Sequence, residues 1–129
     1  MKGYTSVTGQ PVPYATTFAG LYKHATGKEP FRLPAPWRKA KSALDLSTPF
    51  DFVTTTDTHG GNSGRPTVNE KGELIGILFD GNLEGLENRY IYTEEQARSV
   101  HVSSNAILEA LKKVYNADRL LVELAPPYP

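Results

Sequence analysis

The clearest periodicity of apolar positions lies near the C-terminal end. Ile107, Leu108, Leu111, Val114 and Tyr115 fall at i, i+1, i+4, i+7 and i+8, one face of a helix. This predicts a helix over Ser104–Tyr115. Ser103 or Ser104 can cap its start, and Lys112 and Lys113 suit the negative end of its dipole. Shorter patterns upstream read as strands. Phe50–Thr56 is an apolar, β-branched run, and Pro66–Val68 and Glu73–Phe79 flank the turn sequence Asn69-Glu70-Lys71-Gly72 as a β-hairpin. The polar stretch Asp80–Asn88 predicts a loop and Arg89–Thr93 a further strand, while Val100 and Val102 alternate with His101.

Proline divides the chain. Six of the ten prolines lie in residues 1–50, and none lies between Thr67 and Ala125. Proline fixes φ and removes an N–H, so residues 1–49 read as a loop-rich lead-in with short strands. Residues 50–129 read as the core of the same single domain, which is all that 129 residues support. The net charge of zero conceals +5 in residues 1–50 and −5 in the remainder. A balanced total argues against nucleic acid or an anionic membrane as a partner. Cysteine is absent, which removes disulfides, thiol nucleophiles and Cys-based zinc sites, and no metal or cofactor is expected. No apolar run approaches the ~18 residues of a membrane helix, and the N-terminus carries no signal-peptide core.

Chemistry concentrates in Asp57-Thr58-His59-Gly60-Gly61-Asn62-Ser63-Gly64-Arg65-Pro66, between two expected strands. A serine that attacks an acyl carbon needs its hydroxyl presented on a tight turn, with backbone N–H groups aimed at the oxygen that becomes negative. Glycines before the serine allow that shape. Ser63 is then the candidate nucleophile, and the N–H groups of Gly61 and Ser63 the candidate oxyanion hole. A Gly-rich hairpin loop with an exposed serine is the plain alternative. The Gly-x-Ser-x-Gly elbow of α/β-hydrolases is not matched, because Arg65 holds the last glycine position and no helix is expected to follow.

The stretches Thr55–Pro66, Gly76–Asn82 and Asn116–Leu121 resemble the C-terminal part of the bacterial dipeptidyl-peptidases 7 and 11. These are chymotrypsin-like serine exopeptidases that release dipeptides from free N-termini. The resemblance is close from Phe50 to Leu124 and looser over residues 1–49, where Lys2-Gly3-Tyr4 and Thr16-Thr17-Phe18 fit the family's lead-in. It implies an all-β fold: the six-stranded antiparallel C-terminal half of a double barrel, with the helix near Ser104–Tyr115 packed outside. Family members are much longer and carry the triad His and Asp upstream, so the isolated chain is expected to be inactive. The resemblance also implies a periplasmic or cell-surface parent enzyme, a peptide substrate, and the upstream half as partner. Half a double barrel exposes apolar surface, so self-association into a homo-oligomer is expected. Arg65 departs from the small residue usual in the family and is expected to adjust a prime-side surface.

Asp80, Gly81 and Asn82 come just after Phe79, the last apolar strand residue, where chymotrypsin-like folds wall the substrate pocket. In the family, the residue eighteen positions after the serine separates glycine types, which accept hydrophobic side chains, from arginine types, which accept acidic ones. Here it is Gly81, which implies a hydrophobic P1 preference. Asp57 lies six residues before Ser63, where trypsin-like enzymes place the acid that reads basic side chains; a loop-capping carboxylate is the reading favoured here. Asn62 cannot pair with a newly freed N-terminus, so activation by N-terminal insertion is not expected. His24, His59 and His101 read as structural or exposed histidines rather than as the base. Two contrasting functions remain: a catalytically silent β-barrel that binds peptides or partners, and a glutamyl- or trypsin-type endopeptidase.

Overall fold

The computed structural model describes residues 2–124. Residue 1 and residues 125–129, the ends of the two expected regions, lie outside the described residues. Seven strands form two antiparallel sheets. Strands β1 (Tyr4–Thr5) and β2 (Pro11–Val12) make a small ribbon of their own. The main sheet runs β3 (Ala15–Thr17), β4 (Pro49–Thr54), β7 (Ser99–Ser103), β6 (Leu74–Gly81), β5 (Pro66–Val68). It is open rather than the expected six-stranded barrel. The edge strands β3 and β5 are three residues each, and β1 and β2 pair with one another instead of extending the sheet.

The hairpin falls where the pattern placed it. Asn69 turns the chain by accepting the Lys71 and Glu73 amides on Oδ1 at 2.9 and 3.0 Å. The loop expected at Asp80–Asn88 begins as strand and continues as a 3-10 helix, Leu83–Arg89. No strand follows over Arg89–Thr93. The Asn88 side chain takes both backbone groups of Thr93, donating to its carbonyl at 3.0 Å and accepting its amide at 3.2 Å. A backbone so engaged has nothing to offer a sheet partner.

The lead-in carries two short helices that proline content concealed. Helix α1 (Phe18–His24) starts at Thr17, whose hydroxyl accepts the Gly20 amide at 3.4 Å. Helix α2 (Ala35–Ala40) has Pro36 in its first turn, where a missing N–H costs nothing. Helix α3 (Ser104–Lys113) ends at the two expected lysines, but Ser103 at its N-cap makes no side-chain cap. Phe18 from α1, Ala40 from α2, and Ala106 and Ala110 from α3 form the core with Leu44 and Val114. Trp37, Phe50 and Tyr115 close its edge in edge-to-face or tilted ring contacts. Glu109 on α3 accepts the Asp45 amide at 2.6 Å and the Thr48 hydroxyl at 2.5 Å, which clamps the lead-in onto the helix. Burial raises its carboxyl, but these bonds and Lys113 outweigh that and hold it below the usual carboxylate range. A seven-residue helix α4 (Asp118–Leu124) completes the chain, and no described helix is long and apolar enough to cross a membrane.

Strand β7 inverts the usual alternation. Ser99, His101 and Ser103 are buried, whereas Val100 and Val102 are only half-buried. His101 is 2 % exposed, stacks on Phe52 with centroids 5.0 Å apart, and bonds Thr54 Oγ1 through Nε2 (2.8 Å) and Thr67 Oγ1 through Nδ1 (2.7 Å). Burial depresses its pKa and favours the neutral ring, which donates to one hydroxyl and accepts from the other. The unfolded ring therefore binds a proton more readily than the folded one. His101 stabilises the fold fully above its ordinary pKa of about 6.5, and this part is lost as pH falls through the depressed value. His101→Leu should cost about 2 kcal/mol at neutral pH, mainly because Thr67 loses its buried partner. Urea titrations of both proteins at pH 7.5 and 5 should show a smaller acid penalty for the variant; equal penalties would contradict a neutral buried ring.

Candidate active site

The loop between β4 and β5 holds the shape its glycines permit. Gly61 and Gly64 sit at φ +95° and +86°, a region that side chains with a Cβ rarely enter. Asn62 is the brace inside the loop: its Oδ1 accepts the His59 amide at 3.0 Å, and its own N–H donates to His59 O at 3.1 Å. The Gly64 amide then donates to Leu78 O at 2.7 Å, and Leu78 returns a bond to Arg65 O at 2.9 Å. Thr58 ties the other end of the loop to β7. Its hydroxyl lies 2.5 Å from Ser99 Oγ, which in turn donates to Thr56 O at 2.7 Å.

Ser63 is exposed at the tip, with its hydroxyl donating to Phe79 O at 3.3 Å. Neither Gly61 N–H nor Ser63 N–H is paired with an acceptor among the described residues. Ser63 opens onto a cleft of about 530 Å³, walled on one side by Phe79, Asp80, Gly81 and Asn82. Asp57 and His59 line it too. The fold thus gathers Ser63, Asp57 and the 79–82 segment around one cavity, while Gly61 and Arg65 lie in the loop without lining it.

The wall has a mechanical origin. Register between β6 and β7 shifts between Leu78 and Asp80, so Phe79 bulges and stands 46 % exposed at the cleft. Asp80 Oδ1 accepts the Gly81 amide at 2.8 Å. Asn82 serves the backbone: its Oδ1 accepts the Arg98 amide and its Nδ2 donates to Gln96 O, both at 2.7 Å. Beside Gly81 there is room. A Cβ built there meets only Arg98 O, at an ordinary 3.6 Å.

No histidine reaches the serine among the described residues. His59 lines the cleft, but its Nδ1 lies 2.8 Å from Gly60 O. His101 is committed to its threonines, and His24 is exposed on α1. Sequence reasoning missed other residues of the cleft, among them Leu86, Arg89 and Arg98. None stands out by spacing, and Arg98 is distinguished only by a burial that no local pattern signals.

The chain is similar to known peptidases over much of its length. The chain is 32 % identical over 96 % of its length to a dipeptidyl-peptidase 7 of Phocaeicola vulgatus, covering 18 % of that protein. It is 42 % identical over 60 % of its length to an Asp/Glu-specific dipeptidyl-peptidase of Shewanella putrefaciens, covering 11 % of it. Among solved structures, Porphyromonas endodontalis DPP11 in complex with the dipeptide Arg-Asp superposes with a TM-score of 0.89 at 28 % identity. The match covers 99 % of this chain and 20 % of that one. The chain thus spans a fifth or less of these relatives. With residues 1–126 matching Peptidase S46, the chain belongs to the S46 family of peptidases.

Proposed function

We propose that this chain supplies the nucleophile and the specificity wall of a serine dipeptidyl-peptidase, with Ser63 attacking the acyl carbon of the second residue of a peptide. The observation that carries this reading is the sharing of one cleft by the Ser63 hydroxyl and the Phe79–Asn82 wall, beside a loop whose Gly61 and Ser63 N–H groups have no partner among the described residues. Those two donors would stabilise the tetrahedral oxyanion, each contributing about 3–4 kcal/mol in such sites. A substrate with a free N-terminus brings an ammonium, and the cleft offers the carboxylates of Asp57 and Asp80 to meet it. The base and its orienting acid belong to an upstream half, the partner we assign to this chain in a periplasmic or cell-surface enzyme. In the intact peptidase, a fluorophosphonate should add its mass at Ser63; absence of label there would overturn the reading.

Gly81 supports a hydrophobic P1 residue, since it leaves space and brings no charge. Acidic P1 selectivity is favoured by one observation, the exposed Arg89, which lines the cleft without an ion pair among the described residues. The ratio of kcat/KM for Leu- and Asp-containing dipeptidyl substrates decides between them.

The chain alone should show no turnover. Without a base the serine is a weak nucleophile, and oxyanion stabilisation with binding gives only ~10³–10⁴-fold over water. Hydrolysis of a dipeptidyl fluorogenic substrate by the isolated chain, lost in Ser63→Ala, would contradict this and point to His59.

A further inference from the structure

Arg98 is 4 % exposed, and among the described residues no carboxylate lies within ion-pair distance of it. A buried guanidinium without a counter-ion is tolerated only when its donors are matched by acceptors. Here four of its five N–H groups are matched by backbone carbonyls. Nε donates to Lys2 O at 3.1 Å, Nη2 to Gly3 O at 2.9 Å, and Nη1 to Glu94 O and Ala97 O at 2.9 and 2.7 Å. The guanidinium also lies 5.8 Å from the centre of the Tyr4 ring. Two of these carbonyls are more than ninety residues away along the chain.

The backbone of the same residue holds the cleft wall. Arg98 N–H donates to Asn82 Oδ1 at 2.7 Å, and Arg98 O accepts the Asn82 amide at 2.9 Å. Arg98 O is also the atom that faces the open side of Gly81. Gln96 repeats the arrangement: its carbonyl accepts from Asn82 Nδ2, and its side chain donates to Thr5 O at 3.0 Å. Glu84, on the 3-10 helix at the rim, accepts the Val7 amide at 3.0 Å. The N-terminal strap, residues Lys2–Val7, is therefore laced to the wall through Arg98 and Gln96 and to the adjoining 3-10 helix through Glu84, and Arg98 is the deepest link.

We propose that Arg98 is a positioning residue that sets the Gly81–Asn82 wall of the cleft by anchoring it to the N-terminal strap at Lys2–Gly3. The consequence for substrate selection rests on the peptidase reading; the mechanical coupling does not. A guanidinium fork reaches several carbonyls at once, which an ammonium cannot do in the same geometry. Loss of the fork frees the wall and weakens binding of the dipeptide, while the serine loop, held through Leu78 and Ser99, keeps its shape.

Hydrogen exchange, steady-state kinetics and labelling test this. In the chain itself, Arg98→Ala should raise the hydrogen-exchange rate of the Asn82 amide about tenfold and leave the Leu78 amide, bonded to Arg65 O, nearly unchanged. In the intact peptidase, the same change should raise KM for dipeptidyl substrates about tenfold with kcat within about twofold. Fluorophosphonate labelling of Ser63 should keep its rate. Arg98→Lys should fall between, and methylguanidinium should restore KM in Arg98→Ala but not in Arg98→Lys. If Arg98→Ala does not fold, Gln96→Ala removes only the Thr5 bond and should move exchange and KM the same way by a smaller factor. Unchanged exchange at Asn82, or equal losses in kcat and labelling, would overturn the proposal. Failure of the wild-type peptidase to label at Ser63 would sink the peptidase reading alone, because exchange at Asn82 does not depend on it.

Discussion

Ser63→Ala in the intact peptidase is expected to lower kcat about a million-fold, the scale on which removal of a serine nucleophile acts when the base has nothing left to activate. The same change should leave the fold intact. Ser63 is exposed, and its hydroxyl makes a single long bond, 3.3 Å to Phe79 O, so little stability rests on it. The thermal midpoint should therefore stay within about 1 °C. Steady-state assays with a dipeptidyl substrate, run beside a thermal melt, separate loss of chemistry from loss of structure. Residual activity within tenfold of wild type would remove Ser63 from the reaction, whatever the shape of its loop.

On the proposed apolar P1 preference, Gly81→Arg should swing selection toward acidic substrates by about a hundredfold or more in the ratio of kcat/KM values. The structure permits the substitution. Gly81 does not occupy the left-handed region, and a Cβ there meets only Arg98 O at contact distance. The new guanidinium would enter a cleft whose other buried cation, Arg98, is already occupied by carbonyls. It would be free to pair bidentately with a substrate carboxylate and would leave an apolar P1 side chain against an unpaired charge. Leu- and Asp-containing dipeptidyl substrates on both proteins give the measurement. An unchanged ratio would make Gly81 a turn residue only and move the search for specificity to Arg89 and Asp57, which line the same cleft.

Elements with local causes are legible in the sequence. The apolar face of α3 repeats at helical spacing, and the β5–β6 hairpin is set by Asn69 and Gly72 within its own turn. The Gly61–Gly64 loop declares its unusual backbone through the residue type that tolerates it. Residue types alone were misleading in the lead-in. Its prolines concealed α1 and α2, short helices that become worthwhile only when Phe18 and Trp37 meet Phe50 from β4. Arg89–Thr93 has strand-like composition, yet the Asn88 side chain takes the Thr93 backbone and Glu87 O takes the Tyr90 and Ile91 amides.

The candidate site divides along the same line. Ser63, the loop that presents it, and the Phe79–Asn82 segment are contiguous stretches whose residue types announce their chemistry. Their convergence on one cleft is a tertiary result, produced by the pairing of β6 with β7 and the bulge at Phe79. The burial of His101 and Arg98 is tertiary as well. Each is a polar side chain whose place inside depends on acceptors and donors supplied from elsewhere: Thr54 and Thr67 for His101, Lys2 and Gly3 for Arg98. Periodicity records which side of an element is apolar, and it carries no mark of partners that only the folded chain brings within hydrogen-bond distance.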